Sequence, residues 1–319
     1  MNTHNIGNKI SCCLLTFNHA HIIESTINSI LEQTVKNFEF IVSDDCSTDG
    51  TWEIIINIAK THKNIKVIRT PKNLKMAGNC NFAVAHTSRP YVAILHHDDL
   101  FKKDLLEQWA SKLEKYPEAG FVFNAYETFD TKKISSTFSS DYLNGDWLLQ
   151  KYLLKNFDCQ IWGSTMIRKS SWIKVGGMQE KYGHLADIDL WMRLSKNYNV
   201  GYVAKPLISI RHSRPSYYPS EYTGEIWKNK KIIYEIHADN ILSYASQKKY
   251  KKKLFWYRFL INLNLENLKW LIYALIKRKK NMINFSDDVA TKYDFYIIKK
   301  LRVLFKFIIK FSSNSKVNN

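Results

Sequence analysis

Along the first third of the chain, apolar residues follow two alternating rhythms. Lys9–Thr16 is a short, nearly continuous apolar run, the pattern of a buried strand, whereas His21–Gln33 brings Ile23, Ile27, Ile30 and Leu31 to one side of a helix. The exchange continues with Phe38–Ser43 as strand, Thr51–Thr61 as helix, Ile65–Arg69 as strand, Ala77–His86 as helix and Tyr91–Leu95 as strand. A charged turn and a helix over Asp104–Tyr116 follow. This rhythm predicts an α/β fold, a mostly parallel central sheet flanked by helices, with its ligand site at the carboxyl ends of the strands.

After a strand at Phe121–Asn124 the pattern loosens. Asp130 to Asp141 reads as an irregular loop or hairpin, and a second block runs from Gly145 to about Arg214, with turns at Gly176-Gly177 and Pro206 and a short helix over Asp187–Lys196. Beyond Pro219 the chain reads as helical: Glu221–Tyr244, Lys251–Arg278 with an interruption near Asn262–Asn267, and Asp288–Phe311.

Composition adds two constraints. With 319 residues, 45% of them hydrophobic, the chain has enough apolar surface for a large core, which excludes a disordered tail protein. Five cysteines, two of them adjacent at Cys12-Cys13, argue against a disulfide framework and for a reduced cytoplasmic setting. No apolar run reaches the about 18 residues of a membrane span. The net charge of +18 is uneven: residues 246–319 hold 18 basic and 4 acidic side chains, against 29 and 25 in residues 1–245. The charge belongs to a helical, basic C-terminal region, residues 216–319, set apart from residues 1–215.

Three acidic clusters stand where strands should end or a helix should start: Asp44-Asp45, Asp98-Asp99, and Asp187 with Asp189. Carboxylates gathered on one rim imply a cation, a donor-rich ligand or solvent, because burying them unpaired is costly. A metal-bound phosphate ligand answers all three, and Mg²⁺ or Mn²⁺ suits carboxylate and phosphate oxygens. Read alone, Asp44 and Asp45 also suit a strand-to-helix turn capped by Asp49 or Ser47, and Asp187 or Asp189 suits a helix cap. The adjacent His96 and His97 point in different directions on an extended turn, and no Cys/His cluster has zinc spacing.

The order of these motifs resembles the family-2 glycosyltransferases. The resemblance is carried by Leu15-Thr16-Phe17-Asn18, by Val42-Ser43-Asp44-Asp45-Cys46-Ser47 through Thr51, and by Asn73 to Asn81. It continues in Ile94-Leu95-His96-His97-Asp98-Asp99, Val175-Gly176-Gly177-Met178 and Asp187-Ile188-Asp189-Leu190-Trp191. It covers Lys9 to about His212, and it implies a GT-A (Rossmann-like) fold. It also implies a metal-dependent, inverting transferase that moves a sugar from a nucleotide-diphosphate donor, a UDP-sugar, to a hydroxyl of a glycan or lipid-linked acceptor in bacterial surface polysaccharide synthesis. Residues 1–124 would form the nucleotide-sugar-binding half and residues 125–215 the acceptor-binding half.

Residue by residue, the resemblance assigns Leu15, Thr16 and Phe17 to the nucleobase pocket, with Asp45 accepting a hydrogen bond from the base. Asn79 and His97 go to the donor side with them. The family's DxD signature falls on His96-His97-Asp98, so Asp98 keeps the metal position while His96 replaces an acid and faces ribose or phosphate. Arg211 and His212 match, more loosely, a diphosphate contact and a second metal ligand; a surface basic pair is the other reading. Asp187 is the candidate general base, its usual acidic neighbour replaced by Ala186, and a positioned base contributes about 10²–10⁴ in rate. Trp162, Tyr217 and Tyr218 would either stack on acceptor sugars or cover a core edge.

In the C-terminal region, Lys248–Lys253 and Lys277–Lys280 bracket Leu254–Ile276, which carries Trp256, Tyr257, Trp270 and Tyr273. Such a segment either lies along an anionic membrane surface, at the inner face of the cell membrane, or packs its apolar face on the first domain. No nucleic-acid-binding signature accompanies the charge. Two competing classes remain: a GT-A-like binding protein without turnover, suggested by His96 and Ala186, and a basic membrane-associated scaffold.

Overall fold

The computed structural model describes residues 6–154, 159, 161, 163–211, 226–244, 249–277, 293–301, 303 and 304. The chain divides into two compact units, Met1–Pro215 and Ser216–Asn319.

In the first unit the alternating rhythm becomes β1 (Ile10–Thr16), α1 (Ile23–Leu31), β2 (Glu39–Asp44), α2 (Thr51–Thr61), β3 (Ile65–Arg69), α3 (Lys75–Ala85) and β4 (Tyr91–His96). There follow β5 (Leu100–Phe101), α4 (Leu105–Lys115), β6 (Ala119–Thr128), β7 (Ile134–Ser135) and β8 (Tyr142–Leu143). The second block holds α5 (Gly145–Leu148) with a π-helical turn at Leu149–Leu153, then β9 (Thr165–Arg168) and α6 (Lys169–Val175). A 3-10 turn at Glu180–Leu185 leads into α7 (Ala186–Asn197) and β10 (Asn199–Ile210).

The sheet runs β3-β2-β1-β4-β9-β6-β10-β5, with β7 beside β6 and β8 beside β10. Its first four strands are parallel, β9 is antiparallel to both neighbours, and β6 and β10 are again parallel. All seven residues of β1 are buried, as a central strand covered on both faces requires. Ile23, Ile27 and Ile30 of α1 and Leu105, Leu106 and Trp109 of α4 join its core. Arg168 of β9 ties the far side together, donating to the carbonyls of Ala119 and Leu113 and to the Tyr91 hydroxyl.

One expectation needs correction here, and of the two readings of Asp130–Asp141 the hairpin is the one observed. Pro206 is not a turn: it lies inside the 12-residue β10, opposite Ala125, where the pairing with β6 shifts register on both sides. A residue without an N–H fits a strand at such a bulge. The Asp130–Asp141 segment contributes β7, which pairs antiparallel with β6 as a short hairpin.

The second unit contains α8 (Ile226–Leu242) and α9 (Lys249–Lys277), with a further helical stretch over 296–301. The interruption expected at Asn262–Asn267 is absent, and α9 is continuous. Asn264 and Asn267 are buried, and their amides are used internally: Asn264 donates to Leu260 O (2.7 Å) and accepts from Phe295 N (2.7 Å), and Asn267 donates to Asp294 (2.9 Å). Trp256 is half-buried against Phe259 and Tyr293, while Tyr257 is exposed. The side chains of Trp270 and Tyr273, and most of the predicted final helix, lie outside the described residues.

Asn264→Ala removes the acceptor for the Phe295 N–H, a loss of about 1 kcal/mol. Amide exchange at Phe295 should quicken about fivefold, with the α8 amides unchanged; an unaltered rate would show that this bond does not hold the 293–301 segment.

Candidate active site

Strand register decides what meets at the carboxyl edge. Thr16 ends β1 beside Asp44 of β2, and Leu15 stands beside His96 of β4. The loops that follow β1 and β2 then interlock. Asp45 N donates to Thr16 O (2.9 Å), Asn18 N to Ser47 Oγ (2.9 Å), and Thr48 N to Asn18 Oδ1 (2.8 Å). Asp49 accepts from Ala20 N (3.0 Å) and Thr51 N (3.1 Å), but the N-cap of α2 is Gly50, with no side-chain cap bond, so neither Asp49 nor Ser47 takes the expected capping position.

The two adjacent acids have separate duties. Asp44 accepts from Ser47 N (3.0 Å) and pairs with Arg69 (3.2 Å), whose guanidinium lies 4.8 Å from the Trp52 ring centre; it belongs to the scaffold. Asp45 Oδ1 accepts from Thr70 Oγ1 (2.9 Å) and Leu74 N (2.7 Å), while burial raises its pKa. A carboxylate offers about four acceptor positions, so Asp45 keeps room for a ligand donor. Thr16 Oγ1, beside it, is buried with no hydrogen-bond partner among the described residues. Asn79 is buried as well, and both ends of its amide are joined to Ser43, which makes it a tie between α3 and β2.

At the end of β4 the four residues diverge. His97 Nδ1 lies 2.9 Å from Leu15 O, and its ring centre is 3.5 Å from that of His19. Burial, followed by the neighbouring His97, holds His19 well below the ordinary imidazole range, so that ring is neutral. Asp99 is buried and its backbone carbonyl accepts from Thr26 Oγ1 (3.2 Å), whereas Asp98 is half-buried on the rim. Among the described residues no three His, Cys, Asp or Glu side chains gather as a metal cage. The donor set fits a cation that arrives with a diphosphate and takes one carboxylate, Asp98, from the protein.

Asp187 comes to this edge from the opposite side. The position a Cβ would occupy on Gly163 is 2.6 Å from His96 Nε2 and 3.4 Å from Asp187 Oδ2, so the imidazole and the carboxylate converge where Gly163 has no side chain. Asp187 Oδ1 accepts from Ile188 N (2.8 Å), and burial raises its pKa from 3.8 to about 6. Asp189, two residues on, faces another way on the helix. It pairs with Arg193 (2.7 Å), whose guanidinium also donates to Gly177 O (2.7 Å) and Val175 O. That cluster anchors α7 to the end of α6.

Gly176 and Gly177 have φ of +78° and +64° and terminate α6 by accepting no strain there, both N–H groups donating to Trp172 O at 3.1 Å. The close approach at Gly177 is to Asn81, which hydrogen-bonds Met178 N and O at 3.0 Å each. Arg211, just past β10, is half-buried over the Phe129 ring (4.6 Å), and after burial its charge helps to lower the pKa of His21. His212, Trp162, Tyr217 and Tyr218 lie outside the described residues. Gly163 and Arg193 were not singled out from sequence; only the i,i+4 spacing of Asp189 and Arg193 was available as a signal.

A parallel half extended through an antiparallel strand, with acids at the strand ends, is the architecture of the GT-A glycosyltransferases. The fold is shared with Staphylococcus aureus TarS residues 1–349 in complex with UDP-GlcNAc: TM-score 0.65, 19% identity, covering 94% of this chain and 86% of that one. The model of glycosyl transferase family 2 matches residues 11–176, and the chain belongs to that family. It is 27% identical over 235 residues to the putative glycosyltransferase EpsE of Bacillus subtilis, covering 72% of this chain and 82% of that one. It is 26% identical over 191 residues to the Escherichia coli UDP-Glc:alpha-D-GlcNAc-diphosphoundecaprenol beta-1,3-glucosyltransferase WfgD, covering 60% and 71%. It spans 60% or less of the length of four other relatives.

Gly163→Ala would press a methyl group onto the His96 ring. Transfer should fall about 10- to 100-fold through misplacement of the convergent groups. In a melting experiment, adding His96→Ala should recover the stability that Gly163→Ala loses; no recovery would rule out this contact as the cause.

Proposed function

We propose that the protein transfers a sugar from a UDP-sugar to a hydroxyl of a lipid-linked glycan, with inversion at the anomeric carbon, during assembly of a bacterial surface polysaccharide. The donor class is supported by the UDP-GlcNAc complex of TarS and by the UDP-Glc in the name of the E. coli relative, whose acceptor is a diphosphoundecaprenol-linked sugar.

Leu15, Thr16 and Phe17 would line the nucleobase pocket, with Asp45 accepting the imide N–H of uracil and the orphaned Thr16 hydroxyl taking a further polar contact. Asp98 would hold a divalent cation, Mn²⁺ or Mg²⁺, whose chemistry is to neutralise charge growing on the departing diphosphate. Arg211 would add a positive charge on the same rim. His96 stands between the donor side and Asp187, over Gly163.

The observation that carries the mechanism is the desolvated carboxylate of Asp187 at the convergence point. With a pKa of about 6 it is ionised at neutral pH yet far more basic than an exposed aspartate, which matches it to removing a hydroxyl proton during attack. The acceptor oxygen forms its bond to the anomeric carbon from the face opposite the diphosphate, its proton passes to Asp187, and the carbon–phosphate-oxygen bond breaks. An α-linked donor therefore gives a β-linked product. Among the described residues no helix is long and apolar enough to cross a membrane. Contact of the basic C-terminal unit with an anionic surface belongs to this reading.

Asp187→Asn should leave UDP binding, read by thermal shift, nearly unchanged while transfer falls about 10²–10⁴-fold. Wild-type turnover in that variant would remove Asp187 from the mechanism. In the unaltered protein kcat/KM should rise with pH up to about 6 and level off above it. A limb near the ordinary carboxylate range would contradict the desolvated base.

Stability should move in the opposite sense. The folded state keeps the Asp187 proton longer than the unfolded state, so ionisation destabilises the fold, a cost absent below 3.8 and complete above about 6. Asp187→Asn should therefore melt above the wild type at about pH 8, the difference shrinking toward about pH 4; melting curves across that range provide the check.

A further inference from the structure

α9 is apolar on two opposite faces, and among the described residues only one of them is covered. Phe259 and Leu263 are buried, together with the hydrogen-bonded Asn264 and Asn267, on the side that meets α8 and the 293–298 segment. On the other side, Leu254, Tyr257, Ile261, Leu265 and Ile272 are exposed by 63%, 62%, 52%, 60% and 44%. At 3.6 residues per turn these five fall within an arc of about 80°, in a stripe about 27 Å long. A surface helix normally presents charged residues there.

Charge tells what the stripe meets. Exposed Arg258 and Lys269 border it on one side and Lys253 on the other, while the helix's one acid, Glu266, lies away from it. The 296–304 stretch of the same unit repeats the combination, with Tyr296, Ile297, Val303 and Leu304 exposed beside Lys299 and Lys300. A second copy of the chain would oppose lysine and arginine to their like, which is destabilising at close range. A nucleic acid would engage the cations and leave the aliphatic stripe in water.

We propose that this face of α9 is a membrane-docking surface: the helix lies flat in the headgroup region of an anionic bilayer, with Leu254, Tyr257, Ile261, Leu265 and Ile272 turned into the acyl boundary. Arg258, Lys269 and Lys253 flank them at the level of the lipid phosphates. Long basic side chains can keep their charge in the headgroups while their stems cover apolar surface, and a tyrosine at that depth satisfies both its ring and its hydroxyl. Each basic residue near the surface adds electrostatic attraction to the burial of the stripe. The inference rests on the lipid-linked acceptor for its setting, while its structural support is confined to this unit.

The test uses the full chain and sedimentation with vesicles of phosphatidylcholine, with and without phosphatidylglycerol. Binding is expected on the anionic vesicles and should be at least about tenfold weaker on the neutral ones and when salt rises from about 0.1 M to about 1 M. Ile261→Glu combined with Leu265→Glu should weaken anionic-vesicle binding at least about tenfold. Because both side chains are exposed, the melting temperature and transfer to a soluble acceptor fragment should stay as in the wild type. Lys253→Glu with Lys269→Glu should weaken binding by a route that salt no longer modulates as strongly. No binding by the intact chain, or equal binding by the Ile261→Glu, Leu265→Glu variant, would overturn the proposal. So would a self-association that the variant abolishes while vesicle binding persists, which would make a second copy the occupant. Intact vesicle binding without any transfer from a UDP-sugar would undo the proposed reaction and leave this surface standing.

Discussion

Backbone hydrogen bonding of β1 to its parallel neighbours fixes where the reactive groups of the first unit stand. Because Thr16 is level with Asp44 and Leu15 with His96, the chain leaves three strands at one height, and the loops that follow can bond to one another. A slip of one residue would turn every side chain of β1 to the opposite face. The buried, uninterrupted apolar run of that strand makes such a slip costly, and the interlocked Asn18, Ser47 and Asp49 contacts fasten the same alignment from outside the sheet.

Within that frame, neighbouring acids are sorted by what they bond. Asp44 and Asp189 pair with Arg69 and Arg193, so their charges hold loops and helices, and Asp99 is buried. The other members are Asp45, bonded to Thr70 Oγ1 and Leu74 N, Asp98, half-buried just past β4, and Asp187, bonded to Ile188 N. The sorting follows from geometry: adjacent residues past a strand end, or two apart on a helix, cannot face the same way. One of each pair can therefore build the site while the other supports it.

Much of the parallel half could be read directly from the sequence, because alternating strand and helix rhythms are local properties of an apolar pattern. β9 could not, since Thr165–Arg168 is four residues with no period to detect, and β10 was obscured by Pro206, whose bulge is a tertiary accommodation. Polar residues at Asn264 and Asn267 looked like a break in α9 because their partners, Phe295 and Asp294, are distant in sequence. At the site, the rim acids were visible as motifs, whereas the fit of Gly163 against His96 and Asp187 exists only in three dimensions. Asn79 shows the converse limit: a motif position names a neighbourhood, and only the Ser43 contacts show which way its amide points.

The insertion of antiparallel β9 between β4 and β6 has an evolutionary reach. It is fastened along both edges, so the stretch that approaches it through Gly163 ends on a fixed post, independent of the β1 and β2 loops. A change of sequence between α5 and β9 would leave β9 in register with the sheet and the β1 and β2 loops interlocked as before. A lineage built on this plan can therefore vary that segment without relearning the strand register on which its other loops depend.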